Sequence, residues 1–323
     1  MKKKILISIS VLLGLFILTF PLTRYKMNEK PHNVSIPEIS QLDTYLEKEE
    51  SKFKDIVPGA EKKIFWANDK KEQTDYSIVY IHGFSASRPE MMPLPEMIAR
   101  DLKANIFFTR LSGHGRGSEP FSHVDANDWL NDAVEATEIG QKIGKKVILI
   151  GSSTGCTLAT WIASQDKYKD SLSSLIFISP NFYPNNKMTN LFLYPAGLAF
   201  AKLVYGNERV WQPKNAGIAK YWTHEYKWEA ITPMMILVNF VQDIPMSKVV
   251  TPSLFLYTEQ DKVIDFKEIE KKFQQLGATQ KKIKNLSQIP DHVMAGDLFS
   301  PESTEIVYKE IREFLIENNL IKK

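Results

Sequence analysis

At 323 residues with 43% apolar content, the chain can hold one large core, and alternating strand and helix patterns favour a single α/β domain over two equal ones. A net charge of +3 is too small to point to nucleic acid, and the basic clusters Lys2 to Lys4, Lys281-Lys282-Lys284 and Lys322-Lys323 lack an aromatic reader motif. The single cysteine excludes an intramolecular disulfide and leaves export open.

The chain opens on Met1-Lys-Lys-Lys4, and residues Ile5 to Leu22 then carry no charge and are almost wholly apolar. Such a stretch is long enough to span a membrane and longer than the usual signal-peptide core. No Ala-x-Ala-like site follows, and no cysteine is nearby for lipid attachment. Residues 1–24 therefore read as an uncleaved signal anchor, with the lysine-rich end cytoplasmic and residues 25 onward outside. Cleavage, giving a secreted or periplasmic protein, is the alternative. Pro31 to Pro37 reads as a stalk and Ile39 to Phe53 as a short amphipathic helix, which together make a segment 25–60 ahead of the core.

Strands are expected near 62–67, 76–82, 104–109, 146–151, 174–179, 252–258 and 282–286, with helical patterns between them. The second ends in His82-Gly83-Phe84, a turn whose backbone N–H groups can face a substrate oxygen. His82 reads there as a structural residue of the turn. The fourth, Val147-Ile-Leu-Ile, runs into Gly151-Ser152-Ser153-Thr154-Gly155 and then a helical pattern. This strand, Gly-x-Ser-x-Gly and helix form the context of a nucleophile elbow, which lifts a serine clear of the backbone. An ordinary strand-end turn or a phosphate loop is the rival reading, but Cys156 stands where a phosphate loop places its lysine. Ser153 is the candidate nucleophile, and the N–H groups of Phe84 and Thr154 are the candidate oxyanion donors. Cys156 reads as a small buried side chain.

About seventy residues separate the strand near 174–179 from the one near 252–258, too many for a simple crossover, so residues 182–249 should form a helical cap. Its many aromatics build a cap core, and some should wall an apolar cleft above Ser153. His224, within Tyr221-Trp-Thr-His224-Glu-Tyr, reads as packing or substrate wall. Downstream, Asp261 falls just past a buried-strand pattern, where a carboxylate can reach an imidazole; Glu259 and Asp265 are fallbacks, and Asp265 reads better as the N-cap of a helix from Phe266 to Leu276. His292, in a loop before the last helical pattern (Ser303 to Glu317), is the better candidate base. Ser153, Asp261 and His292 follow the order Ser, acid, His.

On these residues the chain resembles the α/β-hydrolase superfamily, and within it the group of monoacylglycerol lipases, lysophospholipases and carboxylesterases. The resemblance runs from about Lys62 to Leu320. It rests on His82-Gly83-Phe84, Ser112-Gly-His114-Gly115, Asp128-Trp129 through Asp132, the elbow at Ser153, Asp261 and His292. The chain departs from that group in carrying Gly-Ser-Ser-Thr-Gly-Cys where Gly-His-Ser-x-Gly-Gly is common. The resemblance implies a mostly parallel sheet flanked by helices, with residues 61–181 and 250–323 as the core. The expected function is hydrolysis of a carboxylic ester with an apolar acyl or alcohol part, on a small-molecule or lipid substrate. Peptidase or acyltransferase chemistry on the same residues is the rival within enzymes. A non-catalytic, membrane-tethered binding protein is the rival outside them, and it has no need of a complete Ser, Asp, His set. No cofactor is called for, and the histidines form no metal-ligand cluster.

Overall fold

Seven short extended segments become the seven strands of one sheet in a computed structural model, which describes residues 24–31 and 34–322. They are β1 (Lys63–Phe65), β2 (Thr74–Ile81), β3 (Asn105–Phe108), β4 (Gly144–Ser152), β5 (Leu172–Ile178), β8 (Ser253–Tyr257) and β9 (Lys281–Asn285), ordered β1-β3-β2-β4-β5-β8-β9. Only β1 runs antiparallel to its neighbour. The apolar runs of the inner strands follow from burial on both faces, whereas the edge strands β1 and β9 are only partly buried. Because side chains alternate across a strand, Val79, Ile81, Val147 and Leu149 enter one core while Ile78, Tyr80, Ile148 and Ile150 enter the other.

The first of these cores is closed by α4 (Ala126–Ile143) and α5 (Thr154–Ser164), through Trp129, Ala133, Leu158 and Ile162. The second is closed by α2 (Leu94–Leu102) and α10 (Thr304–Glu317), through Leu94, Ile98, Val307 and Phe314. The remaining helices outside the β5–β8 connection are α1 (Leu42–Glu50), the short α3 (Ser118–Ser122) and α9 (Phe266–Gln274).

The stretch Ile5 to Leu22, expected to cross a membrane, lies outside the described residues. No described helix is long and apolar enough to cross one. The segment after it, expected as a stalk, is laid along the domain: Met27, Val34 and Ile36 pack on the core, and Glu29 accepts a 2.7 Å hydrogen bond from the Trp161 indole. The amide of Tyr25 donates to Leu193 O at 2.7 Å. α1 adds the buried Leu42 and Leu46, and its Glu50 meets Arg110 with two 2.8 Å bonds.

Between β5 and β8 the chain forms α6 (Pro195–Tyr205), β6 (Glu208–Val210), α7 (Ala216–Tyr221), β7 (Glu225–Lys227) and α8 (Ile231–Gln242). The insertion is mainly helical, as expected, and also carries two three-residue strands. β6 and β7 pair as an antiparallel ribbon with Arg209 opposite Tyr226. β6 is exposed throughout and β7 buries only Tyr226, so each three-residue strand is too short to show the apolar alternation that marks a strand in sequence.

Candidate active site

Ser153 follows β4 directly and caps α5 with φ 50° and ψ −111°, a conformation that L-residues rarely adopt. Two backbone bonds hold it there: its N–H donates to Ile178 O at 3.0 Å, and its carbonyl accepts from Asn181 N at 3.1 Å. The flanking glycines supply space rather than unusual dihedrals. A Cβ on Gly155 would lie 2.0 Å from Ile81 O, and one on Gly151 would lie 2.7 Å from Cys156 N. Only glycine lets α5 start this close to β2.

Asp261 follows β8 and His292 follows β9, so both reach the C-terminal edge of the sheet where β4 delivers Ser153. His292 Nδ1 lies 2.6 Å from Asp261 Oδ2, while Asp261 Oδ1 accepts from Val263 N at 2.7 Å and Ile264 N at 3.1 Å. Burial works against the Asp261 charge, but the His292 imidazole and these bonds outweigh it and hold the carboxyl below its ordinary value. With Nδ1–H donated to the carboxylate, Nε2 presents its lone pair to the cavity. Ser153 and His292 line one cavity of about 570 Å³, and no hydrogen bond joins them. Glu259 is exposed and makes no hydrogen bond to the imidazole, and Asp265 accepts from Lys267 N as the N-cap of α9.

The turn after β2 forms the facing wall. Gly83 N donates to Glu90 Oε2 at 2.9 Å, and the same oxygen accepts from the Tyr80 hydroxyl at 2.6 Å. Phe84 N and Thr154 N donate to no acceptor among the described residues, so both remain available at the elbow. The Phe84 ring is clamped by Phe121 at 4.9 Å, Tyr226 at 5.7 Å and His114 at 6.3 Å. His114 belongs to the Gly-His-Gly turn, which α4 pins through Asp132 to Ser112 N (2.5 Å) and Trp129 to Ser112 O (3.0 Å).

Two residues of the site escaped the sequence. Glu90 sits buried in a single helical turn, where no periodic pattern marks it, and burial raises its carboxyl despite the Tyr80 and Gly83 bonds. Asn181 clamps the Ser153 carbonyl from the start of the insertion. His224 lies outside the Ser153 cavity, its ring 6.1 Å from Trp211, and Cys156 is buried against Gly151 O. Among the described residues, no group of three or more His, Cys, Asp or Glu is placed to hold a metal ion.

His82 supports the turn from inside. Its Nε2 accepts from Leu111 N at 3.1 Å, so Nδ1 carries the proton and meets Gly83 O at 2.9 Å. Burial pushes this imidazole down to about 4, and His114 shifts in the same direction for the same reason. A depressed histidine contributes stability that is present above pH 6.5 and lost as pH falls toward its folded value, because only the unfolded chain takes up the proton. Between pH 7 and pH 4.5 the His82 share of that loss is on the order of 2–3 kcal/mol. Urea unfolding at the two pH values checks it: His82→Gln should be less stable than wild type at pH 7 and lose less on acidification. An equal acid loss in both proteins contradicts this.

Sheet order, the elbow after β4 and the side chains at the C-terminal strand edge define an α/β-hydrolase. The chain belongs to the Hydrolase_4 family, serine aminopeptidase, S33, whose sequence profile matches residues 73–290. Solved structures share the fold. A metagenome-derived lipolytic enzyme of the LipS and LipT pair superposes with a TM-score of 0.66 at 21% identity, over 80% of this chain and 98% of that one. A monoacylglycerol lipase of Paleococcus ferrophilus gives 0.59 at 15% identity, over 80% and 98%. A soluble variant of the monoglyceride lipase of Saccharomyces cerevisiae gives 0.58 at 14% identity, over 80% and 91%. Comparison with curated proteins gives no match.

Proposed function

We propose that the protein is a serine hydrolase of carboxylic esters whose acyl or alcohol part is apolar. The observation that carries this reading is one cavity that receives both the strained Ser153 and His292, with His292 already hydrogen-bonded to Asp261. In the proposed cycle the Ser153 hydroxyl attacks the ester carbonyl as His292 Nε2 takes its proton. Phe84 N–H and Thr154 N–H hold the oxyanion, aided by the positive end of α5. His292 returns the proton to the leaving alcohol, and water releases the acid by the same steps. The insertion acts as a cap: Phe192, Phe200, Trp211, Trp228 and Met234 wall the cavity and would grip the apolar part.

Each methylene buried there contributes up to about 0.8 kcal/mol, so kcat/KM should rise up to about fourfold per carbon until the cavity is full. The test is a series of p-nitrophenyl esters from acetate to decanoate, with aminoacyl p-nitroanilides alongside. A flat ester series, or activity on the anilides alone, rejects the reading. The family description favours aminopeptidase activity as a second reading. That chemistry needs a carboxylate open to the substrate ammonium, and the acid lining the cavity, Glu90, already accepts from Tyr80 and Gly83.

The proposal extends to location: Ile5 to Leu22 anchors the protein in a membrane, with the hydrolase on the extracytoplasmic side. Full-length protein should sediment with membranes and need detergent for release. Release by alkaline carbonate alone favours cleavage and a secreted or periplasmic enzyme.

A further inference from the structure

Two cations line the Ser153 cavity without an anionic partner. Arg209 comes from β6 in the insertion and Lys262 from the turn immediately after Asp261. Both are exposed while lining the cavity, which places them at its opening. Four lysines of the insertion are neutralised: Lys187 meets Asp265, Lys202 meets Glu229, Lys214 meets Asp291 and Lys227 meets Glu119. Neither Arg209 nor Lys262 meets a carboxylate among the described residues.

Arg209 is also held in place. Its guanidinium lies 6.0 Å from the centroid of the Tyr226 ring, its cross-strand partner, and that buried ring packs 5.7 Å from Phe84. The cation therefore stands one aromatic ring away from the loop that carries a proposed oxyanion donor. Deeper in the cavity the walls are mainly aromatic and aliphatic, and the Glu90 carboxyl is taken by two donors. The opening thus offers two positive charges and no competing acid, ahead of an apolar interior.

We propose that Arg209 and Lys262 form an anion subsite, so that the preferred ester carries a phosphate or carboxylate at one end and an apolar chain at the other. A guanidinium fits either group with paired N–H donors, and the ammonium adds a second charge without fixed geometry. The inference rests on the ester-hydrolase reading for its chemistry, but binding tests it separately.

The kinetic test uses matched pairs: 1-lauroylglycerol against its 3-phosphate, and 4-nitrophenyl pentanoate against 4-nitrophenyl hydrogen glutarate. Wild type should show a lower KM for the anionic member, with a preference that shrinks as salt is added. Arg209→Gln and Lys262→Gln should each raise that KM on the order of tenfold, leaving kcat and the neutral esters unchanged. A response in the phosphate pair alone identifies a phosphate subsite, and one in the glutarate pair alone a carboxylate subsite. Binding of dodecyl phosphate to Ser153→Ala, by calorimetry, needs no turnover and should weaken by a similar factor when Arg209→Gln is added. If no ester is turned over while this dependence persists, the hydrolase reading fails and the subsite stands. Equal handling of neutral and anionic esters, or dodecyl phosphate binding indifferent to both substitutions, makes Arg209 and Lys262 solvated surface charges and overturns the proposal.

Discussion

Ser153→Ala is expected to lower kcat on short activated esters by at least about 10⁴-fold and to abolish covalent labelling by a fluorophosphonate. The fold should survive, because the hydroxyl makes no hydrogen bond to another side chain and the elbow is held through the backbone to Ile178 and Asn181. A further measurement separates chemistry from strain. At φ 50° and ψ −111° any side chain is costly, and a residue in such a region carries about 1–3 kcal/mol of strain. Ser153→Gly should therefore be as inactive as Ser153→Ala but melt at a higher temperature than it. Substantial labelling of Ser153→Ala would end the proposal. Equal melting of the alanine and glycine variants would remove the strain argument while leaving the nucleophile in place.

The parts legible in the sequence are those where one physical rule dominates. The five inner strands are buried on both faces and show as apolar runs, while the edge strands β1 and β9 show only as short extended stretches; all seven expected segments lie within two residues of the observed ends. The elbow was readable because a Cβ on Gly155 would lie 2.0 Å from Ile81 O, so the position excludes every side chain but glycine's hydrogen. What stayed hidden depends on contacts between distant segments. Glu90 is defined by Tyr80 and Gly83, and nothing local separates it from a surface glutamate. The β6–β7 ribbon buries only Tyr226 over two three-residue strands, too few positions for an alternation to be read. The docking of residues 24–31 is not legible locally because their partners, Leu193, Trp161 and Asn239, are more than a hundred residues away.

The same reasoning favours Asp261 as the proposed acid among three neighbouring carboxylates. Asp261→Asn should lower kcat by about 10³–10⁴-fold with little change in KM. The asparagine oxygen can keep the bonds from Val263 N and Ile264 N, so the turn should hold its shape. Its amide nitrogen then replaces Oδ2 opposite His292 Nδ1 and can only donate. The imidazole must answer with a bare Nδ1, which moves its proton to Nε2 and leaves no lone pair for the Ser153 hydroxyl. Asp265→Ala, by contrast, should cost about 1 kcal/mol of stability through the lost N-cap of α9 and leave kcat intact. Glu259→Gln, at an exposed position, should change neither. Steady-state kinetics and thermal melts on the three variants separate the cases: a catalytic loss confined to Asp261→Asn supports its role. An Asp261→Asn enzyme within tenfold of wild type, beside a crippled Asp265 or Glu259 variant, would move the acid to that residue.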